Sequence, residues 1–311
     1  MVRIALFGFG AIGSAIAAHC LEKRHDLLVV IDSSPAKAGK TLRELSNLNS
    51  DVRVMQNVRD IPLDDVQVAI MATSSRLSDM VEDVEFVLRK GIRVVSTCEE
   101  LAFPSWANSE DAVRLDGIAR QSGSTVVGVG VNPGFVMDWV PAVVASASKS
   151  PRSIRVTRSV NVGRRRRQLQ AKMGVGLSKA KFEKGLEKGG IGHVGLVESL
   201  QLIASSLGRE ATDVTWGIKP VLGAADYVMG AAQFAEGRAG ECRIRLDLEM
   251  TTSSSDFDLI EVSGEPNLKL RFENGVFGDS ATVALAVNAA ERVMRARPGL
   301  ITILELPLVT R

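Results

Sequence analysis

Apolar and polar positions follow two regimes along this chain, with a change near residue 133. Before it, short and nearly continuous apolar runs recur: VRIALFG (2–8), LLVVID (27–32), VQVAIMAT (66–73), IRVVST (92–97) and TVVGVG (125–130). Runs of this length, rich in β-branched residues, predict parallel strands covered on both faces. Stretches with helical spacing lie between them at 11–23, 35–47, 76–90 and 108–121. Strands alternating with such helices build right-handed βαβ units and a doubly wound α/β sheet.

Beyond Pro133 one more helix is predicted at 137–148, after which strand-like segments dominate at 153–162, 213–222, 226–235, 240–251 and 257–272. In RIRLDLEM (243–250) Ile244, Leu246 and Leu248 share one face, the alternation of a mainly antiparallel sheet with one covered side. Helices at 178–187 and 194–206 interrupt that sheet, and a helix at 280–296 with a short apolar tail closes the chain. The predicted organisation is a doubly wound domain over 1–132, rejoined by the returning segment 280–311, and an α+β domain over 133–279.

Composition adds bounds. The 311 residues are 45% hydrophobic and 24% charged, enough for two ordinary domains. With 38 basic against 36 acidic residues, the balance asks for neither nucleic acid nor an anionic membrane as partner. No apolar run approaches the roughly 18 residues of a membrane span, and the chain begins directly in a strand rather than in a signal peptide. Three cysteines, Cys20, Cys98 and Cys242, lack C-x-x-C spacing and fit a reducing compartment. A cytoplasmic location is expected.

The strongest local signal is Gly8-Phe9-Gly10-Ala11-Ile12-Gly13, placed between the first strand and the first helix. Gly8 permits a tight turn, Gly10 lets backbone approach a pyrophosphate, and Gly13 allows close helix–strand packing. Phosphates then sit at the helix N-terminus formed by Ala11 and Ile12, where free amides and the dipole favour negative charge. Asp32 ends the second strand 19 residues beyond Gly13, the distance at which an acid meets the adenosine ribose. This context predicts a Rossmann domain. A carboxylate at Asp32, with Ser33 beside it, favours NAD over NADP, although NADP use stays open. Lys37 and Lys40 lie close enough to offset its charge; a solvated helix face is the plainer reading of both. Ala72, Thr73 and Ser74 follow one strand and Ser96 and Thr97 end another, so they are candidates for the nicotinamide ribose and ring. Helix capping asks for the same residue types at Ser74 and Ser75.

Directly after the strand at 92–97 come Cys98, Glu99 and Glu100. Two adjacent carboxylates in an extended segment point opposite ways, so one is a candidate for acid–base work and the other for a structural task. Either could be the catalytic one. Cys98 has no basic partner in view and reads as a packing residue.

STCEEL (96–101), GVNPGFVMD (130–138), RRRRQLQAKMGVGLS (164–178), GHVGLVES (192–199) and the closing PGLITILELP, taken in order, resemble the 2,4-diaminopentanoate dehydrogenases and related amine dehydrogenases. The resemblance runs over essentially the whole chain. It implies a dihydrodipicolinate-reductase-like fold, a homodimer, and NAD(P)-dependent interconversion of an amine or (di)amino acid with the ketone plus ammonia. It also implies a substrate-binding and dimerising role for the second domain, and it assigns catalysis to a glutamate in the TCEE block, Glu100 or Glu99. Asn132 is a candidate for the nicotinamide or substrate, or for simple turn chemistry before Pro133. Phe135, Met137 and Trp139 would line a substrate pocket or fill a core. Arg158, or one of Arg164 to Arg167, would bind a substrate carboxylate; the run is otherwise a solvated face. His193 would reach the substrate or start a helix. With three histidines in all, no metal site is expected. An imine reductase of the dihydrodipicolinate-reductase type would carry His-His-x-x-Lys, which has no counterpart here. Sugar dehydrogenases carry Glu-Lys-Pro where this chain has Glu-Glu-Leu, and a dinucleotide-sensing protein needs no carboxylate at that place.

Overall fold

A computed structural model describes residues 1–60 and 62–307, and it divides into two compact units, Met1–Gly134 with Gly278–Arg311, and Phe135–Phe277. The last four residues of the expected returning segment, 308–311, lie outside the described residues.

The first unit runs β1 (Arg3–Phe7), α1 (Ala11–Glu22), β2 (Asp26–Ile31), α2 (Leu42–Ser46), β3 (Val54–Met55), β4 (Val68–Met71), α3 (Val81–Arg89), β5 (Arg93–Ser96), α4 (Ser109–Gln121) and β6 (Thr125–Gly128). In the second unit α5 (Trp139–Ser146), β7 (Ser153–Asn161), α6 (Arg167–Lys172), α7 (Lys179–Glu187) and α8 (Leu196–Ser206) precede β8 (Thr212–Leu222), β9 (Val228–Ala239), β10 (Cys242–Thr251), β11 (Phe257–Ser263) and β12 (Leu268–Phe272). The chain then returns to the first unit with α9 (Gly278–Arg292) and β13 (Gly299–Ile301).

Seven parallel strands make the first sheet, in the order β13-β6-β5-β4-β1-β2-β3. Its central strands are buried along almost their whole length, which is why they read as unbroken apolar runs. Ala5, Phe7, Val94 and Val126 join a core with Val84, Val87 and Leu88 of α3 and Leu115 and Ile118 of α4. α1 packs with α9. The order in which strands are added reverses at β1, with β2 on one side and β4 on the other, and in open α/β sheets ligands bind outside the carboxyl ends at such a point.

Three expectations change. The helix expected at 35–47 is a run of turns at 35–39 followed by the short α2. Pro35 and Gly39 (φ +77°) break the period, and Thr41 with Glu44 starts the helix afresh through a reciprocal capping box. The single strand-like segment at 257–272 is a hairpin of β11 and β12. β3 and β13 extend the main sheet at its two edges and were not expected.

The second sheet has the order β12-β11-β7-β10-β9-β8, antiparallel except between β7 and β10. α8 covers β9 and β10 on one face, and α5 packs on α8. The other face carries ion pairs such as Arg155–Asp247, Arg245–Glu236 and Lys269–Glu261. Among the described residues no helix is long and apolar enough to cross a membrane.

One titration in the first unit bears on stability. His25 is buried, its Nδ1 accepts from the Val2 amide at 3.3 Å, and its Nε2 lies 3.3 Å from Glu291 of α9. Burial pushes its pKa below the ordinary 6.5, against the opposing pull of Glu291. The unfolded chain then binds the proton more readily than the folded one. His25 therefore stabilises the fold fully above about pH 6.5 and loses that contribution as pH falls through its folded value. In His25→Asn, which keeps an acceptor for Val2 without a titrating group, the melting temperature should fall less between pH 7.5 and 5 than in the parent. An equal fall in both proteins would remove His25 from the account.

Candidate active site

Three glycines do different work at the end of β1. Gly8 has φ +87°, its amide donates to Ile31 O at 2.7 Å, and a Cβ there would lie 2.5 Å from Ala72 O. Only glycine lets the ends of β1 and β4 close on each other in this way. At Gly13 a Cβ would lie 1.9 Å from Gly8 O, so α1 can start against the turn only without a side chain. At Gly10 a Cβ would meet nothing within 4 Å. Gly10 is the N-cap of α1, in extended conformation, and supplies no side-chain cap. A 12-residue helix thus opens with uncapped amides beside a space the protein leaves free, which fits the pyrophosphate of a dinucleotide. Gly10 and Ala11 are exposed, Ile12 is half-buried and Gly13 is buried.

Asp32 stands at the end of β2. Its Oδ2 accepts from the Phe9 amide and from Lys37 Nζ, both at 2.8 Å, and its Oδ1 accepts from the Ser34 amide at 3.0 Å. Burial works to raise its pKa, but the bonds from Lys37, Phe9 and Ser34 outweigh it and hold the carboxyl below its ordinary value. Lys37 also donates to Phe9 O at 2.9 Å, so the solvated-helix reading of Lys37 is corrected: the turn at 35–39 folds it back onto Asp32. Lys40 and Ser33 are exposed.

At the ends of β4 and β5, Ala72 donates its amide to Phe7 O (2.8 Å) and Thr97 donates its own to Met71 O (2.9 Å). Thr73 is exposed and Thr97 half-buried. The Ser74 hydroxyl donates to Asp79 (2.6 Å) and accepts from the Arg76 amide (3.1 Å), which is the turn-forming role. Ser96 departs from its expected place at the cofactor. It is fully buried, and its hydroxyl lies between Met71 O (3.3 Å) and the Cys98 amide (3.1 Å), where it shapes the strand end.

Both glutamates sit on a tight 3₁₀ turn that follows β5, with Glu99 just before Glu100–Ala102. The turn lies against Gly128 at the end of β6, where a Cβ would come within 2.5 Å of Leu101 C and Ala102 N. Glu100 Oε2 accepts from the Leu77 amide at 2.8 Å and from Asn108 Nδ2 at 3.2 Å, and its amide donates to Ser75 O at 3.3 Å. Its carboxylate thereby binds the loop after β4 to the loop after β5. Glu99 is half-buried. Cys98 is buried, which pushes its thiol up to about 12, so it carries no thiolate at neutral pH. Asn132 is buried and precedes a cis peptide bond to Pro133. Neither Gly128 nor Asn108 was singled out from the sequence; a lone strand-end glycine and a lone asparagine give no signal above turn chemistry.

In the second unit Phe135 and Trp139 are half-buried and stack, with ring centroids 5.9 Å apart and planes 16° apart. Met137 is fully buried, as the core-packing alternative has it. Asp138 is also fully buried; it accepts from the Trp139 amide (2.6 Å) and from the Ser199 hydroxyl (2.7 Å), fixing the start of α5 to α8. Arg158 does not stand open to a ligand. It is 3% exposed, its Nη1 donates to Asp258 at 2.6 Å and its Nη2 to Val276 O at 2.8 Å. Burial works to raise the pKa of Asp258, and Arg158 opposes it. The run Arg164 to Arg167 is not a plain solvated face either, because Arg165 is buried with its guanidinium 3.7 Å from the centre of the Phe277 ring. The His193 backbone is held at both ends by Gln233, which accepts from its amide (2.7 Å) and donates to its carbonyl (3.1 Å).

A parallel seven-stranded sheet with a glycine turn at its switch point, joined to a six-stranded mixed sheet, is the architecture of Rossmann-type dehydrogenases. The amine dehydrogenase of Mycobacterium smegmatis has this fold, with a TM-score of 0.89 over 100% of this chain and 97% of that one at 22% identity. So does the WlbA (WbpB) dehydrogenase of Thermus thermophilus, solved in complex with NAD and alpha-ketoglutarate, with a TM-score of 0.63 at 16% identity over 98% and 92%. The 2,4-diaminopentanoate dehydrogenase of Acetoanaerobium sticklandii is 26% identical over 332 residues, 99% of this chain and 94% of that one. The family model for the 2,4-diaminopentanoate dehydrogenase C-terminal domain matches residues 135–311, and the chain belongs to that family.

Proposed function

We propose that this chain is a nicotinamide-dinucleotide-dependent amine dehydrogenase, interconverting an amine or (di)amino acid with the ketone plus ammonia, with NAD as its ordinary cofactor. One observation carries the proposal: in a member of this family, two glutamates stand on a fixed turn at the carboxyl end of a Rossmann strand. Gly8, Gly10, Ala11, Ile12 and Gly13 would hold the pyrophosphate and Asp32 with Ser33 the adenosine ribose; Thr73, Thr97 and Asn132 are assigned to the nicotinamide end. When bound, the dinucleotide supplies hydride exchange with the amine-bearing carbon.

The chain's own residues supply proton control. An ammonium cannot give up hydride, because its nitrogen has no lone pair to stabilise the developing cation. A carboxylate that holds the ammonium and accepts one proton removes that obstacle. It then orients the water that adds to the iminium; in the reverse direction it places ammonia on the ketone. Glu100 has its Oε2 bonded to Leu77 and Asn108, which fits a positioning role. The proton-transfer role is assigned to Glu99, its half-buried neighbour on the same turn. Phe135, Trp139 and His193 are assigned to the substrate. Arg158 would serve a substrate carboxylate only by giving up bonds to Asp258 or Val276, which favours a substrate recognised elsewhere. Dimer formation through the second unit and a cytoplasmic location belong to the same proposal.

The test is a panel of ketones, including 2-amino-4-oxopentanoate, with NADH in the presence and absence of ammonia. Oxidation of NADH should require both ketone and ammonia. Oxidation with ketone alone would make the protein a ketone reductase and end the amine proposal.

A further inference from the structure

We propose that Lys37 lets this chain admit a dinucleotide carrying a 2′-phosphate on its adenosine ribose as well as one that does not, by exchanging Asp32 for the phosphate. This rests on the dinucleotide site proposed above.

The starting point is a count of bonds at the end of β2. An ionised carboxylate has about four acceptor positions on its two oxygens. Asp32 uses two on Oδ2, for Phe9 N and Lys37 Nζ, and one on Oδ1, for Ser34 N. One remains on Oδ1. The Lys37 ammonium has three donors, of which Asp32 Oδ2 and Phe9 O take two, leaving one. The pair thus offers one open acceptor beside one open donor. A ribose with both hydroxyls free satisfies each, since a hydroxyl donates and accepts. A 2′-phosphate can use only the donor.

A bare carboxylate at this place repels a 2′-phosphate, which is the usual reason an acid here selects NAD. Asp32 is not bare. Lys37 Nζ lies 2.8 Å from it, and Lys37 is the cation whose charge acts on its titration. Nor is Lys37 locked in place: its side chain keeps 29% of its surface, whereas that of Asp32 keeps 11%. If Lys37 turns to a phosphate, Asp32 retains the Phe9 and Ser34 amides and is not left without donors. The exchange therefore strands no buried charge. The backbone that allows it is local, since the turn at 35–39 is held by the bonds Lys37 N–Ser34 O (3.0 Å) and Gly39 N–Val54 O (2.8 Å). Ser33, exposed at the same strand end, adds a hydroxyl able to donate to a phosphate oxygen.

The experiment is titration calorimetry of the full chain with NADH and NADPH, and with the fragments 5′-AMP and 2′,5′-ADP, which carry the adenosine end alone and differ only in the 2′-phosphate. The parent protein should bind both members of each pair. In Lys37→Ala and Lys37→Gln the preference for the unphosphorylated member should rise by about ten- to a hundredfold, the range of one charge-assisted hydrogen bond, and Lys37→Arg should restore the parent ratio. Far-ultraviolet circular dichroism identifies any variant that has unfolded, and the uncharged Gln, of nearly the parent length, stands in if Ala does so. An unchanged ratio in folded Lys37→Ala or Lys37→Gln would overturn the inference. So would a parent that binds NADH and 5′-AMP but neither partner carrying the 2′-phosphate. A parent that binds none of the four would instead overturn the dinucleotide site itself, and the inference with it.

Discussion

Glu99→Gln is expected to lower kcat for amine oxidation by about a hundred- to ten-thousandfold, the usual worth of a positioned acid–base group, while NADH still binds. Glutamine keeps the shape of the side chain but cannot take the ammonium proton, so the loss should fall on kcat rather than on cofactor affinity. Glu100→Gln should behave differently. Its amide oxygen can still accept from Leu77 N and Asn108 Nδ2, so activity should fall far less. Glu100→Ala leaves the Leu77 amide without that acceptor and should cost about 1 kcal/mol of stability, seen as a lower midpoint in urea. Steady-state kinetics and denaturation of the three variants separate proton transfer from positioning. A collapse of kcat in Glu100→Gln with Glu99→Gln nearly unaffected would exchange the two roles.

The second large effect distinguishes glycines that shape the fold from one that makes room for a ligand. Gly13→Ala forces a methyl to within 1.9 Å of Gly8 O, and every atom it meets is backbone, so no flexible side chain can yield. A cost of about 3 kcal/mol, at the upper end of ordinary overpacking, should lower the melting temperature by roughly 6–12 °C. Gly10→Ala should leave the melting temperature nearly unchanged, because the added methyl meets no protein atom within 4 Å and the backbone there is extended. NADH affinity should nonetheless drop by about tenfold or more, one lost phosphate contact's worth, since the methyl enters the space assigned to the pyrophosphate. Equal NADH affinity in Gly10→Ala and the parent would show that this space is not the phosphate site.

These two residues also show what could be read from the chain alone. The glycine turn, Asp32 and the central strands are legible because each is local: a buried parallel strand is an unbroken apolar run, and the turn and the acid lie at fixed distances along one βαβ unit. What was missed depends on partners far away in sequence. β3 has two residues and β13 three, too few to show alternation, and each exists through pairing with β2 or β6. The bonds from Glu100 to Leu77 and from Asp138 to Ser199 span 23 and 61 positions. Ser96 looked like a ligand contact because it ends a strand, yet its hydroxyl is used inside the sheet end. For Lys37 the sequence offers the offset of Asp32 but favours a solvated helix face, because a helical period runs on paper through Pro35 and Gly39, where the chain in fact turns back toward Asp32.

The central claim, that hydride and ammonia nitrogen are joined to the same carbon, is tested most directly by isotope transfer. The reaction with 2-amino-4-oxopentanoate would be run with NADH deuterated at the reactive carbon and with ammonium enriched in heavy nitrogen, and the product analysed by mass spectrometry. The account predicts a diamine product with one deuterium and one heavy nitrogen on the former carbonyl carbon, at a rate that falls with Glu99→Gln. A deuterated alcohol without added nitrogen would contradict it.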